Sequence, residues 1–525
     1  MLYKSLKNFI LTFSASLALW SCSKDNVTIH LIGDSTMADY EENSTQIRGW
    51  GEMLCQFVPD GVRVRDCAIP GRSSKSFYEE GSWNKVKDSL NVGDYVLIQF
   101  AHNDEKDNGE EGPSGRGTAP WTSYKNYLSR YIDEARQAGA KPILVQPIVR
   151  RYFDGANITA RGRHNLSSNP TDTTLDYTAV MRRLSIEKDV PLIDLCEKSR
   201  EIVEAYGERD SKEQLYVNAD NTHTQAKGAI IYAIVANCKL GDLKVWHGHP
   251  HKPKLVVNPR RMDYGEVFIG DTLWQCFDAV CLDGLDIEEK RYLTGIGQLT
   301  VKAPAGWKLS HTLGGEVKDT LCMSATKGVA FFACCTPKAE GTTNGTIYLG
   351  SHTCHAEIPV KCVGRKVKSQ EDAFIHWDNI HEKAVSKNLD AKLSIVKGLT
   401  SANGHFGMES GLWQAEIDED GNRFVQLKIV AGKKDVRINK LSLGVSPEMC
   451  YRISYAYGND FFLRSTVGER QNPSADGLAV DSYSTSVKVK AGEMVLFRIY
   501  PWSKQARKNF EFDIVNVNIE GTAIE

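Results

Sequence analysis

The feature that most constrains this chain is a change of sequence pattern near residue 240. From Val27 to about Leu240, short apolar runs alternate with stretches of helical periodicity, whereas from about Lys254 onward the runs are strand-like. Alternation of strands and helices is typical of a parallel sheet covered by helices, and successive short strands separated by turns are typical of β-sandwiches. The sequence therefore predicts an α/β region followed by all-β regions.

The length of the chain requires more than one domain. Hydrophobic cores stop growing at roughly 250 to 300 residues, and this chain has 525. We predict a three-layer α/β/α domain of flavodoxin-like type with a parallel sheet over residues 25–243, an immunoglobulin-like β-sandwich over 254–366 and a second β-sandwich over 372–525.

Five apolar runs predict the strands of the α/β domain: VTIHLI, VRVRDCA, DYVLIQFA, KPILVQPIV and VPLIDL. Three periodic stretches predict helices that cover this sheet: SYKNYLSRYIDEARQAG, LDYTAVMRRLSIEKD and HTQAKGAIIYAIVANCKL. The order of these segments is that of a parallel sheet with helical crossovers.

Residues 1–22 have the layout of an export signal. Lys4 and Lys7 precede an apolar run from Phe9 to Trp20, which is shorter than the ~20 residues that a membrane-spanning helix needs. LWSC resembles a bacterial lipoprotein signal, in which Cys22 becomes the lipidated first residue; an ordinary cleaved signal is the alternative. We expect an exported cell-envelope lipoprotein, in the outer membrane and facing the periplasm or the surface, with membrane association through this lipid anchor.

The charge balance gives no indication of a nucleic-acid partner. Lys and Arg total 64 and Asp and Glu total 66, for a net charge of −2, so no overall field favours a polyanion. The cluster His247, His249 and His251 falls in a linker without an acid or cysteine at ligand spacing, and we predict neither a metal site nor any other cofactor. The oligomeric state stays open.

Two short segments together suggest nucleophilic catalysis. Ser35 lies in GDSTMADY, directly after the first predicted strand, where parallel sheets place their binding sites. Asp220 and His223 lie in NADNTHT, three residues apart and just before a helix. A serine hydroxyl needs a base, and the base needs a carboxylate to orient it, so these residues are a candidate Ser-His-Asp triad.

Two further segments at strand ends supply candidate oxyanion donors. AIPGRSSKSF follows the second strand and FAHND follows the third. The N–H group of Gly71 and the side-chain amide of Asn103 would together stabilise the negative charge that develops on an ester carbonyl oxygen.

GDSTMA, PGRSSKSF, FAHND and DNTHT, in this order, resemble the four sequence blocks of SGNH (GDSL-like) hydrolases, and Ser35, Gly71, Asn103 and His223 match the four signature residues. GDSTMA, GRSxxxF, HND and D-x-x-HT are similar to the rhamnogalacturonan acetylesterases. The resemblance covers roughly residues 27 to 240, and it implies a carbohydrate acetylesterase that works through an acetyl-enzyme without a metal. It also implies that the Ser35 N–H joins Gly71 and Asn103 as an oxyanion donor. Ala101 replaces the family's usual glycine, and Asp66 its usual asparagine.

The resemblance further implies that the substrate is an acetylated pectic polysaccharide, most plausibly rhamnogalacturonan. Pectic backbones contain galacturonate, so we predict that cations near the cleft bind it: Arg72, Lys75, Arg150 and Arg151. Alternatives are another acetylated glycan, such as homogalacturonan, xylan or a host sugar, and a catalytically silent surface protein that binds glycans. The last domain resembles the carbohydrate-module-like β-sandwiches of bacterial polysaccharide lyases and esterases.

Overall fold

The computed structural model describes residues 27–525 except 41–44, 218–219, 295–297, 325–328, 403–404, 409–411, 458–463 and 474–479. Cys22 and the predicted export signal lie outside the described residues. Over the described ranges, none of the helices combines the length and apolar character required to cross a membrane.

The N-terminal region contains seven strands and seven α-helices in the described ranges. In chain order they are β1 (Thr28–Gly33), α1 (Trp50–Leu54), β2 (Arg63–Asp66), α2 (Ser74–Glu79), α3 (Ser82–Lys87), β3 (Tyr95–Gln99), α4 (Lys125–Gln137), β4 (Lys141–Val145), β5 (Phe153–Asp154), β6 (Asn157–Ile158), α5 (Tyr177–Lys188), β7 (Leu192–Ile193), α6 (Leu195–Gln214) and α7 (Ala226–Asp242).

Five of these strands form a parallel sheet in the order β2-β1-β3-β4-β7, which confirms the predicted three-layer fold. Successive side chains of a strand point to opposite faces. In β1, Leu31 packs into one core together with α1, α6 and α7, and Ile32 packs into a second core together with α2, α4 and α5. Both faces are therefore buried, which is why the strands are nearly continuous apolar runs.

Helices α1, α2, α3 and α6 were not predicted from the sequence, and α6 is the longest of them. The run VPLIDL was assigned wholly to a strand, but β7 ends at Ile193 and the side chain of Asp194 accepts a hydrogen bond from the Glu197 N–H, which caps α6. The helix α6 buries Leu195, Ile202, Val203 and Tyr206, but many charged residues separate them in the sequence and obscure the helical pattern.

The middle region is a β-sandwich of two sheets around a shared apolar core. The sheets have the orders β12-β14-β10-β8 and β13-β11-β15-β16-β9. Their strands are β8 (Leu255–Asn258), β9 (Met262–Phe268), β10 (Leu273–Cys281), β11 (Gln298–Lys302), β12 (Trp307–Ser310), β13 (Thr320–Ser324), β14 (Val329–Cys335), β15 (Gly341–Gly350) and β16 (His355–Arg365).

The C-terminal region is a second sandwich, with the sheets β18-β17-β31-β24-β27 and β19-β23-β28-β25-β26 and three- and two-stranded additions. Its strands are β17 (Gln370–Asn379), β18 (Val385–Lys387), β19 (Leu389–Lys397), β20 (Thr400–Ala402), β21 (His405–Gly407), β22 (Leu412–Trp413), β23 (Phe424–Ala431), β24 (Asp435–Val445), β25 (Cys450–Ala456), β26 (Ser465–Arg470), β27 (Val480–Val489), β28 (Met494–Trp502), β29 (Arg507–Lys508), β30 (Glu511–Phe512) and β31 (Ile514–Ile524).

The first two regions share one continuous core. Val256, Val280, Leu282 and Tyr292 of the middle region belong to the same buried cluster as the side chains of α1, α6 and α7. Because burial of apolar surface contributes about 25 cal/mol per Å², this contact stabilises one fixed arrangement of the two regions.

Candidate active site

The loop between α6 and α7 meets the carboxyl end of β1 and brings the predicted triad together. The Oγ of Ser35, just after β1, lies 2.9 Å from the Nε2 of His223, and the Nδ1 of His223 lies 2.7 Å from an Asp220 carboxylate oxygen. Ser35 is 7% exposed, while the side chains of His223 and Asp220 are 27% and 38% exposed. The nucleophile is therefore at the bottom of the site, and its base is at the rim.

The Asp220 carboxylate is held in its ionised form. Burial acts to raise its pKa, but hydrogen bonding and the charge of His223 and the N–H groups of His223 and Thr222 outweigh burial, so the pKa lies below its usual value. An ionised carboxylate only accepts, which places the imidazole proton on Nδ1. The Nε2 of His223 is then free to accept the Ser35 proton, as a general base must.

A buried aspartate shapes the turn that carries the nucleophile. Asp34 accepts hydrogen bonds from the Thr36 N–H at 2.9 Å and from the Thr36 hydroxyl at 2.8 Å, and its second oxygen lies 3.2 Å from the Nδ1 of His102. Burial lowers the pKa of His102 to about 4, so this imidazole is neutral. Asp34 thus joins the residues on either side of Ser35, and His102 contacts the Asp34 carboxylate.

The three predicted oxyanion donors all have an N–H group available in the structure. In the described part of the chain, the N–H groups of Ser35 and Gly71 donate to no protein acceptor. The Asn103 amide uses one N–H to bond the Arg72 carbonyl oxygen at 3.1 Å, which leaves its second N–H available. Gly71 has a φ of +78°, a conformation that glycine adopts most readily.

Arg116 is a cation at this site that the sequence analysis missed. Its Nη1 donates to the Gly71 carbonyl oxygen and to the Asn103 Oδ1, each at 3.3 Å. Because a guanidinium only donates, this contact selects the amide orientation in which the Asn103 N–H groups are available. The Nε and Nη2 of Arg116 have no acceptor among the described residues, and the side chain is half-buried.

Arg150 and Arg151, predicted to contact the substrate, donate hydrogen bonds to the loop that carries Asp220 and His223, and their contact with a substrate stays a prediction. Arg150 donates to the His102 carbonyl oxygen at 2.9 Å, to Glu105 at 3.2 Å and to the Thr222 hydroxyl. Arg151 is buried, and it bonds the Ser211 hydroxyl at 2.9 Å, the Asn221 side chain at 2.8 Å and the Glu208 carbonyl oxygen. Both guanidinium groups hold the segment that carries Asp220 and His223.

Arg72 and Lys75 lie beside the oxyanion loop, and each is paired with an acid. The Arg72 Nε lies 2.7 Å from Glu80, and the Lys75 Nζ lies 2.8 Å from Glu111. These pairs are partly exposed, so each contributes little stability and can exchange partners. Contact of Arg72 and Lys75 with a substrate stays a prediction.

Three tryptophans of the C-terminal region lie in its core. Trp377, Trp413 and Trp502 are 2%, 0% and 0% exposed. They cannot present a ring face to a ligand in this conformation.

Comparison with known proteins identifies the N-terminal region. Residues 31–229 match the model of the GDSL-like lipase/acylhydrolase family. Rhamnogalacturonan acetylesterase RhgT of Bacillus subtilis is 36% identical over 220 residues, which are 39% of this chain and 86% of that relative. The rhamnogalacturonan acetylesterase of Emericella nidulans is 31% identical over 213 residues, 39% of this chain and 81% of that relative.

A solved structure of Axe2, an acetylxylan esterase from Geobacillus stearothermophilus, is 16% identical and has a TM-score of 0.31; the match covers 41% of this chain and 94% of that one. Identity above 30% across most of a relative's length establishes kinship for the region that carries Ser35, Gly71, Asn103 and His223. The chain belongs to the GDSL-like lipase/acylhydrolase family.

Proposed function

We propose that this protein is a serine esterase that removes O-acetyl groups from pectic polysaccharide, specifically rhamnogalacturonan. The observation that carries the proposal is the 2.9 Å contact between the Ser35 Oγ and the His223 Nε2, whose ring also contacts Asp220 through Nδ1. Two relatives named rhamnogalacturonan acetylesterase support the choice of substrate.

The proposed reaction proceeds in two steps. The Ser35 Oγ attacks the acetyl carbonyl carbon while His223 takes its proton, and the oxyanion is held by Ser35 N–H, Gly71 N–H and Asn103. The tetrahedral intermediate collapses, and His223 returns the proton to the departing sugar oxygen. Water, deprotonated by His223, then attacks the acetyl-enzyme and releases acetate together with free Ser35.

The charge beside the oxyanion donors supports an anionic polymer as the substrate. Arg116 has two guanidinium nitrogens without a protein acceptor in the described ranges, next to Gly71 and Asn103. A guanidinium binds a carboxylate in a bidentate manner, and a galacturonate residue of a pectic chain carries such a group. Neutral xylan has no backbone carboxylate to use this donor.

The proposed setting is the cell envelope. The lipoprotein-like signal that ends at Cys22 would send the esterase out of the cytoplasm and attach it to a membrane. A polysaccharide cannot enter the cytoplasm intact, so export suits an enzyme that acts on a polymer.

Acetate release tests the proposal. We expect the protein to release acetate from acetylated rhamnogalacturonan in preference to acetylated homogalacturonan and acetylated xylan. Ser35→Ala should lower the rate by at least about 10³-fold, because a triad loses most of its effect without its nucleophile. Ser89→Ala, on the loop after α3, is the matched control and should keep the wild-type rate.

Three outcomes are informative. Preference for xylan would contradict the pectic substrate but would still support esterase activity. Release that persists in Ser35→Ala would contradict the role of Ser35. No release from any of the three polymers would contradict the esterase proposal itself.

A further inference from the structure

The segment from residue 45 to 51 lies between the two loops that form the catalytic pair. On one side, the Trp50 N–H donates to the Thr36 carbonyl oxygen at 3.1 Å, next to the nucleophile. On the other side, the Arg48 N–H donates to the Thr224 carbonyl oxygen at 2.9 Å, and the Thr224 hydroxyl donates to the Arg48 carbonyl oxygen at 2.7 Å. Thr224 follows His223 directly, so movement of this segment changes the distance from Ser35 to its base.

The buried side chain of Arg48 holds this segment in place through hydrogen bonds. It is 1% exposed, and its Nη1 donates to the carbonyl oxygens of Thr45 at 2.8 Å and of Ile47 at 2.7 Å. Its Nε donates to a carboxylate oxygen of Asp278 at 2.8 Å. Asp278 is buried and lies on β10, in the middle sandwich and outside the residues that match the family.

A second contact from the same sandwich reinforces the first. The Asn258 side-chain amide, at the end of β8, donates to Glu52 at 2.6 Å. Glu52 lies on α1, and its carboxyl is 3.7 Å from the Arg48 Nε. Asn258 on β8 and Asp278 on β10 are paired across neighbouring strands. The same two strands therefore bind both Glu52 and Arg48.

We propose that Asp278 is a positioning residue for the catalytic centre, contributed by the middle β-sandwich and acting on His223 through Arg48 and Thr224. This inference rests on the proposed esterase function. The middle sandwich then contributes to catalysis by the hydrolase and is not an independent appended module. Loss of the Asp278 charge removes a buried counter-charge of Arg48 and lets the 45–51 segment shift.

The expected effect is on turnover and not on substrate affinity. Misplacement of a catalytic group by about 1 Å costs on the order of 10²-fold in rate. We expect Asp278→Asn to lower kcat for p-nitrophenyl acetate at least ~10-fold with KM within about 2-fold of wild type. Asp278→Glu, which keeps the charge, should recover a large part of the lost kcat.

Tyr292→Phe is the matched control. The Tyr292 hydroxyl donates to Glu201 on α6 at 2.9 Å, so it also joins the middle sandwich to the α/β domain, but it has no contact with the catalytic loops among the described residues. Its removal should lower the melting temperature as Asp278→Asn does and leave kcat unchanged. Equal kcat in Asp278→Asn and Tyr292→Phe, at a temperature where both are folded, would overturn the proposal.

Two measurements keep the test decisive. If Asp278→Asn does not fold, the double substitution Arg48→Met with Asp278→Leu replaces the ion pair by apolar side chains, a change that buried pairs often tolerate. Wild-type kcat in that variant would overturn the proposal. If the wild type hydrolyses none of the esters, the proposed function fails, and the labelling rate of Ser35 by a fluorophosphonate still reports activation by His223. Slower labelling in Asp278→Asn than in Tyr292→Phe would support the positioning role.

Discussion

Single side chains that need not touch a substrate hold the catalytic residues in place. Arg150 joins the loop after β3 to Thr222, and Arg151 joins Asn221 to the end of α6. Both arginines thus bind the DNTHT segment, in which Asp220 and His223 are partly exposed. A loop that carries a general base at the rim of a site requires such anchors, because small displacements reduce the rate strongly.

Arg116 gives a prediction at this scale. Arg116→Gln should raise KM for acetylated rhamnogalacturonan about 10-fold, because a charge-assisted hydrogen bond contributes roughly 1.5–3 kcal/mol. KM for neutral p-nitrophenyl acetate should change much less. Arg72→Gln, whose guanidinium is already paired with Glu80, is the control and should have the smaller effect. Equal increases of KM for the polymer and for the neutral ester would contradict carboxylate binding by Arg116.

At the scale of elements, α1 approaches the loop after β1 very closely. A Cβ on Gly49, the residue before α1, would lie 2.2 Å from the Ala38 carbonyl oxygen and 2.3 Å from the Met37 carbonyl carbon. These are backbone atoms and cannot swing away as a side chain can. The absence of a side chain at Gly49 therefore sets the distance between α1 and the nucleophile turn.

Gly49→Ala should consequently separate these two elements. We expect a loss of about 1–3 kcal/mol in the free energy of unfolding, the usual cost of overpacking, together with a lower kcat. Gly241→Ala, in α7, has open space around the new methyl group and should be neutral or slightly stabilising. Urea unfolding of the three proteins provides the measurement, and a Gly49→Ala variant as stable as wild type would contradict the close approach.

The elements also show how far the sequence alone could reach. Strands β1, β3 and β4 were predictable because strands buried on both faces are apolar throughout. The candidate triad was predictable because Ser35 follows a strand end and Asp220 and His223 precede a helix, both in recognisable segments. Helix α6 was missed because charged residues dilute its apolar face. Arg116 lies in a long polar loop without periodicity, and the partner of Arg48 is 230 residues away, so neither contact has a local signal.

At the scale of the whole molecule, the interface between the α/β domain and the middle sandwich contains two acids with opposite behaviour. Burial, with Asp39 and Asp278 nearby, raises the pKa of Glu52 to about 9 against the opposing charge of Arg48. Burial also acts to raise the pKa of Glu201, but hydrogen bonds from Lys290, Lys198 and Tyr292 prevail and lower it to about 2. One interface thus combines an acid that resists ionisation with one that favours it.

The pH dependence of stability follows from these directions. The folded state binds the Glu52 proton more tightly than the unfolded state does, because the pKa of Glu52 is raised on folding. The folded protein therefore loses stability as the pH increases from the ordinary pKa of 4.5 toward 9. Glu52→Gln should therefore match the wild-type melting temperature near pH 4.5 and exceed it at pH 9. Glu201→Gln should be less stable than wild type at pH 9. Thermal melts at both pH values test this, and a Glu52→Gln variant no more stable than wild type at pH 9 would contradict it.

The shared core has a consequence for the order in which the protein matures. A chain is synthesised from its N-terminus, so Ser35 and His223 emerge well before Val280, Leu282 and Tyr292, which complete the core around α7. Until those residues arrive, the α/β domain has an uncovered apolar face and Arg48 lacks Asp278. The core of the α/β domain and the contact between Arg48 and Asp278 are therefore completed only late in the synthesis of the chain.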